Sequence, residues 1–459
     1  MKRVQSQIIM SLLMVWGMLM SAGLPAQDTW SLDRCLTYAR DHNLQLKQQA
    51  LHTRMARNNL SQSKFSLIPS LSAGAQQSFR FGRSVDPLTY SFNTENSKGS
   101  SFFARSRTDL FKGFQNLNTI RRNRLELEKS LQDYDKAKND LTLMITRLYL
   151  QILFNEELLQ VAESQVALTR EQVSRTRMLV HAGSLPKGDL LDIQAQLASE
   201  ELNRVDAQNR LDLSYLDLIQ LLDLKNPGRF TIEKPDFNEF PISQPVQNSD
   251  QVFQLALGSL PQIKSAEYTL CISERDLAIS KGRLSPSLSV SSYWGTGYSD
   301  RITDFINGQV MPFGDQLKYT GTAVVNLNLN IPLFSGLLVQ TDIRNARLAV
   351  LNAQYQLEQC KNNLHKEIQQ AEADARAAYK KYHATAKSVA ALEEAFHYAA
   401  QKFNLGIVTS LDYNLAKNNL TKARSNLLQA KYHYIFNTKI LDFYRGISIT
   451  TGLSNNLIK

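Results

Sequence analysis

The sequence predicts a mainly α chain with a small β part, laid out as a duplicated unit of helix, β-hairpin and long helical hairpin. Three observations predict it. Two stretches, Phe114 to Ala182 and Leu337 to Leu405, each run for sixty-nine residues without a glycine or proline, and because those residues break helices, only a very long helix reads that way. Sliding the chain on itself by 223 positions lays Leu110-Phe111-Lys112-Gly113 on Leu333-Phe334-Ser335-Gly336, Gly183 on Gly406 and Asp189 on Asp412 without a gap. Ahead of each long helix, apolar and polar residues alternate with the two-residue period of a strand.

From the start, Lys2 and Arg3, the apolar run Ile8 to Met20 and the small residues Ala22, Gly23 and Ala26 read as a secretory signal peptide over 1–26. The run is too short to span a bilayer, and no cysteine follows that could carry a lipid. Cys35, Cys271 and Cys360 fall in helical segments at spacings that match no metal or redox motif. The formal charge of +10 is spread along helices with no basic stripe or nucleic-acid motif, which points to a solvated surface.

The first repeat spans 27–224. Leu32 to Leu67 carries helical spacing, with Ser31 and Asp33 as its capping region, and ends at Pro69. A strand over about 69–83 follows, with Leu71, Ala73, Ala75, Phe79 and Phe81 on one face, broken by Gln77, and Ser70, Ser72, Gly74, Gln76, Ser78 and Arg80 on the other. A second strand runs over about 99–111, and a helical hairpin occupies 114–224. In its first helix, positions from Leu131 to Val166 repeat every 3.5 residues and nine of the eleven are apolar, an amphipathic coiled-coil seam in water.

Residues 225–250, with Pro227, Pro235, Pro241 and Pro245, read as a linker on the outside of the helical body. The second repeat spans 251–446, with strands over about 286–299 and 319–334, a hairpin at 337–445 and a tail at 447–459. Its first strand matches that of the first repeat at an offset of 217, so six residues are inserted between the matching blocks, most naturally in the loop Ser299 to Lys318. Leu288, Val290, Trp294 and Tyr298 share one face, and Ala323, Val325, Leu327, Leu329, Ile331 and Leu333 continue it.

A face that is wholly apolar must pack on a core or meet lipid, and no amphipathic element is left over to cover it. Four strands cannot close a barrel and an open edge is not tolerated in lipid, so the chain is expected to oligomerise, three copies supplying twelve strands. Phe79, Phe81, Trp294 and Tyr298 suit the interfacial girdle of such a barrel. Each long helix ends at a punctuated turn, where Gly183 and Gly406 suit a left-handed cap and Asp189, Ser410 and Asp412 suit the first turn of the return helix.

With Phe403-Asn404-Leu405-Gly406-Ile407-Val408-Thr409-Ser410-Leu411-Asp412 at the second turn and Gly183 to Asp189 at the first, the chain resembles the TolC family of outer-membrane efflux and secretion channels. The resemblance implies a homotrimer in the outer membrane, with a long periplasmic α-helical barrel below a twelve-stranded transmembrane β-barrel. It also implies a tunnel shut at the helix tips until a periplasmic adaptor and an inner-membrane pump engage. It assigns Asp412 to a ring of carboxylates at the constriction and Asp189 to a polar contact that holds the tips closed. Gly183, Ser184, Leu185, Gly406, Ile407 and Thr409 become the adaptor-contacting tips. Three positions depart from the family: Leu415 stands in place of a second ring aspartate, Val408 in place of an arginine and Phe403 in place of a tyrosine. Closure is therefore expected to be mainly apolar here, through Phe403, Val408 and Leu415.

No phosphate loop, metal spacing or nucleophile elbow is present, so neither catalysis nor a cofactor is expected. His181 and Met178 near the first tip are too few for a soft-metal site. The alternative is a periplasmic coiled-coil scaffold or adaptor, which accounts for the long helices but not for four lipid-suited strands. Small-molecule efflux and polypeptide secretion both remain open.

Overall fold

The computed structural model describes residues 29–85, 90–94, 96–225, 230–235, 249–304, 306, 308–447 and 449. The signal peptide, most of the linker and nearly all of the tail lie outside them. In chain order the elements are β1 (Thr29–Trp30), α1 (Leu32–His42), α2 (Leu44–Phe65), β2 (Ser70–Arg80), β3 (Arg83–Val85), β4 (Phe92–Thr94), β5 (Ser97–Lys112), α3 (Gln115–His181) and α4 (Lys187–Leu222). The second half continues with β6 (Thr231–Ile232), α5 (Ser249–Ser259), α6 (Pro261–Gly282), β7 (Ser287–Ser299), α7 (Phe313–Tyr319), β8 (Thr322–Asn330), α8 (Leu338–Asn404) and α9 (Ser410–Tyr444).

The duplication is visible in the element boundaries. Both long helices, α3 and α8, have 67 residues and start 223 positions apart. The bounds of α1 and α2 recur in α5 and α6 at an offset of 217. The helix expected over 32–67 is broken, because Asn43 leaves helical geometry at φ −59°, ψ 128°. Its side chain accepts from Leu46 N at 3.0 Å, capping α2, and donates to the Leu221 carbonyl at 3.0 Å. In the second repeat the same break falls at Leu260, before Pro261.

The chain divides into two compact units. One comprises residues 48–136 and 261–362 and holds the antiparallel sheet β2-β5-β7-β8, one hairpin from each repeat, with β2 and β8 as its edges. Its two faces differ in kind. Leu71, Ala73, Phe102, Ala104, Leu288, Val290, Trp294, Val325, Leu327 and Leu329 share one face, as the strand pairing shows. Leu71, Val325, Leu327 and Leu329 are between 63% and 79% exposed, so among the described residues this part of the face is uncovered, while Phe313, beyond the loop after β7, packs on Phe102 and Tyr298. Gln77, which interrupts that face, accepts a 2.5 Å hydrogen bond from Ser100 opposite. The other face carries serines, asparagines and most of the strands' charge.

Strand bounds differ from expectation at the outer ends and at the inner end of β8, which stops at Asn330 and leaves Ile331 and Leu333 beyond it. The loop at 84–98 contains the small hairpin β3-β4, and the loop at 299–318 contains α7, which ends at Tyr319, so β8 starts only at Thr322. Thr320 explains the late start, because its hydroxyl occupies the Gly297 backbone of β7 at 2.8 and 3.0 Å. A bulge lies between Asp109 and Phe111, which turns Phe111 to the apolar face and Lys112 to the polar one.

The second unit comprises residues 1–47, 137–260 and 363–459. Its core joins Trp30, Leu32 and Cys35 to Ile145, Tyr149 and Leu153 of α3, Leu218 and Leu222 of α4, and Tyr434 and Ile435 of α9. Full burial of such side chains contributes about 1.5–3 kcal/mol each. The linker is not wholly outside, as expected, because β6 pairs with β1 in parallel and Ile232 and Pro235 are buried. Tyr149 ties the pair down, its hydroxyl donating to the Glu233 carbonyl at 2.5 Å. Burial pushes the Cys35 thiol up to about 12, which makes it an inert core residue.

Candidate functional site

The tips of the two helical hairpins are built from one pattern used twice. At the end of α3, Gly183 takes φ 71° and donates to the Val180 carbonyl, while Ser184 donates to that of Leu179. At the end of α8, Gly406 takes φ 70° and donates to Phe403, while Ile407 donates to Lys402, each 223 positions on. Both are Schellman caps, which close the last carbonyls and turn the chain through a left-handed residue.

The return helices start differently. Pro186 caps α4 without a side-chain bond. Thr409 caps α9 with a full capping box: its hydroxyl accepts from Asp412 N at 3.2 Å, while the Asp412 carboxylate accepts from Thr409 N at 3.2 Å and Thr409 Oγ1 at 2.8 Å. The carboxylate assigned by resemblance to a constriction ring is thus engaged in its own helix start. Asp412→Ala is expected to cost about 1 kcal/mol by loss of the cap, read as a lower denaturation midpoint that Asp412→Glu largely avoids.

The structure brings the tips together through side chains from both hairpins. Ser410 Oγ donates to Asp189 Oδ1 at 3.3 Å, and Arg175 Nη1 donates to Asn404 Oδ1 at 2.7 Å. Phe403 packs against Tyr413, ring centroids 5.0 Å apart, and Tyr413 also meets Phe396. Burial is the main cause that raises the Tyr413 pKa. A groove of about 660 Å³ runs between the tips, lined by Leu168, Thr176, Leu185, Phe403 and Ile407 among others. Leu405, Ile407, Leu411 and Leu415 are exposed in the single chain, whereas Val408 and Leu185 are half-buried, and Gly183, Ser184, Gly406 and Thr409 stand at the surface. Phe79, Trp294 and Tyr298 lie on the apolar face of the sheet, and Phe81 follows one residue beyond β2. His181 and Met178 are exposed.

One cluster was not anticipated. Lys417 of α9, 1% exposed, donates to Glu200 Oε1 of α4 at 3.0 Å and to Thr169 Oγ1 of α3, so a buried ion pair joins one hairpin to the other. Gln196 adds a 2.9 Å bond to Glu200. The signal was present: Lys417 sits three residues before Leu420, a buried apolar position of α9, and a polar residue on that face needs a buried partner. The partner helix was not readable. Positions 223 further on from Thr169 and Glu200 are Leu392 and Ala423, part of an apolar cluster with Val389 and Leu420. The same site is therefore polar in one hairpin and apolar in the other.

No helix among the described residues is long and apolar enough to cross a membrane. The family model for outer membrane efflux proteins matches residues 36–223 and 252–442, one block per repeat. The chain is 20% identical over 410 residues to the outer membrane efflux protein BepC of Brucella suis biovar 1, covering 88% of this chain and 83% of that one. It is 21% identical over 415 residues to the outer membrane protein TolC of Escherichia coli K12, covering 87% and 78%. Among solved structures, the CmeC outer membrane channel of Campylobacter jejuni shares the fold with a TM-score of 0.77 at 17% identity, over 93% of this chain and 86% of that one.

Proposed function

Because this chain belongs to the outer membrane efflux protein family, we propose that three copies assemble into a channel with a twelve-stranded transmembrane barrel and a helical tunnel gated at the hairpin tips. The protein is an outer-membrane channel for efflux or secretion, and it makes and breaks no bonds. The energy comes from an inner-membrane pump, joined to the channel by a periplasmic adaptor. The observation that carries the assembly is the sheet: four strands, two edges unpaired among the described residues and an apolar face that is largely exposed. Lipid covers that face and copies of the chain cover the edges, whereas a periplasmic scaffold would leave both in water.

The gate lies at the tips. Phe403, Val408 and Leu415 close it by apolar contact, and Asp412 adds a weak preference for cations. Asp189, held by Ser410, ties the two hairpins of one chain at the same level. Gly183, Ser184, Leu185, Gly406, Ile407 and Thr409 meet the adaptor. Phe79, Phe81, Trp294 and Tyr298 sit at the lipid interface.

The test combines fractionation, mass in detergent and planar-bilayer recording. A trimer extracted from outer membrane that gives small, rarely opening currents supports the reading. A monomer released with the soluble periplasm, or an oligomer that inserts and never conducts, overturns it.

A further inference from the structure

The polar face of the sheet is not uniformly polar. In the row formed by Gly74, Phe103 and Gly295, the Phe103 ring leans over Gly74, where a Cβ would stand 2.7 Å from the ring. Tyr293 leans in the same way over Gly295. Between these rings lies Arg105, its guanidinium carbon 4.3 Å from the Phe103 centroid and 5.6 Å from that of Tyr293. Two glycines thus give room for two rings, and the rings flank one exposed guanidinium.

The charge on this face is one-sided. Arg80, Arg105, Arg107 and, through the bulge, Lys112 share it with Asp109, the sole carboxylate on that face among the described strand residues. Asp109 lies 3.9 Å from Arg107 and 3.7 Å from Lys112, and among the described residues Arg105 has no carboxylate partner. The fold does not require these cations. By the 223-residue offset, Phe103, Arg105 and Arg107 correspond to Asn326, Asn328 and Asn330 of β8, a strand that pairs with β7 just as β5 does and carries no charge.

We propose that this arginine–aromatic layer is a selectivity element that favours anionic solutes, planar aromatic carboxylates above all, on their way through the barrel. The proposal rests on the channel reading above, since it is lipid on the apolar face that turns the polar face to the lumen. Cations on low-dielectric walls concentrate anions in a narrow passage. A planar guanidinium held beside these rings presents N–H donors to a carboxylate in the bidentate geometry that a lysine cannot offer, and the flanking rings take the aromatic part of the solute. The layer would act in series with the tips, where Asp412 favours the opposite sign.

The experiment is the reversal potential of the purified channel in planar bilayers under a potassium chloride gradient, then with benzoate or acetate replacing chloride. Arg105→Asn with Arg107→Asn, residues that the second repeat already carries, is expected to lower the anion-to-cation permeability ratio by about three- to tenfold at low salt. The effect should shrink toward about 1 M salt, where charges are screened within a few ångströms. Arg105→Lys keeps the charge and should retain the chloride preference while losing discrimination of benzoate from acetate. In the unaltered channel the anion preference should itself weaken with salt, a readout that needs no variant. Conducting channels with the same permeability ratio in all forms overturn this inference and leave the channel reading intact. Failure of every form to conduct overturns both.

Discussion

Gly113→Ala is expected to be among the most damaging single-methyl changes in this chain, costing about 4 kcal/mol or more, while the same change at the duplicated position, Gly336→Ala, should cost about 1 kcal/mol. Both glycines join a strand to a long helix with positive φ, 55° and 59°, and each is followed by a second left-handed residue, Phe114 or Leu337. The backbone cost of alanine is therefore similar at both. The surroundings differ. A Cβ at Gly113 would collide with the Gly282 carbonyl oxygen and stand 2.7 Å from Ser285 Cβ, whereas at Gly336 nothing lies within 4 Å. Backbone on backbone cannot relax by rotating a side chain, so the junction or the end of α6 must move. Gly282→Ala tests the clash from the other side, since it meets the Gly113 carbonyl at ordinary φ. Thermal midpoints of the three detergent-purified variants decide the matter: a Gly336→Ala loss equal to that of Gly113→Ala would show that φ, not crowding, sets the cost.

Lys417→Met should cost about 3–5 kcal/mol, because it leaves Glu200 charged and buried without its partner. Adding Glu200→Ala and Thr169→Leu rebuilds the site as the second hairpin already has it, with Ala423 and Leu392, and should recover the loss to within about 1 kcal/mol. A triple variant as unstable as the single one would mean that the ion pair fixes the register of α9 against α3 and α4, rather than only satisfying itself. The pH dependence has a definite sign. Burial, only partly offset by Glu200, lowers the Lys417 pKa below its ordinary 10.5. Between that lowered value and 10.5 the unfolded chain binds the extra proton, so this lysine's contribution to stability rises with pH through the window. Lys417→Met should remove that rise, which denaturation midpoints across alkaline pH would read.

The long-range plan of this molecule was legible because it is written in period and punctuation. Glycine-free length and the 223-residue offset located α3 and α8 to within a residue, and Gly183 and Gly406 marked their caps. Alternation found the faces of the sheet and its exposed aromatic residues. What escaped depends on partners rather than on local pattern. The break at Asn43 is made by a side chain that caps one helix and holds another's carbonyl. The bulge after Asp109 exists only in the register of β5 against β7, so no reading of β5 alone could place Lys112 on the charged face. Asp412 was assigned a role at the constriction, and the structure shows that its carboxylate first serves Thr409. Lys417 was visible as an anomaly, but its counter-ion lies 217 residues away.

The edge strands β2 and β8 have a meaning of their own. A duplicated chain that closes into a ring of three is a pseudo-sixfold object, in which each contact from the first repeat to the second is echoed by one from the second to the first repeat of the next copy. In the proposed trimer that relation would pair β8 of one copy with β2 of the next as β5 pairs with β7 inside the chain. The seam of such a ring would then be encoded in the contact between the chain's own two halves.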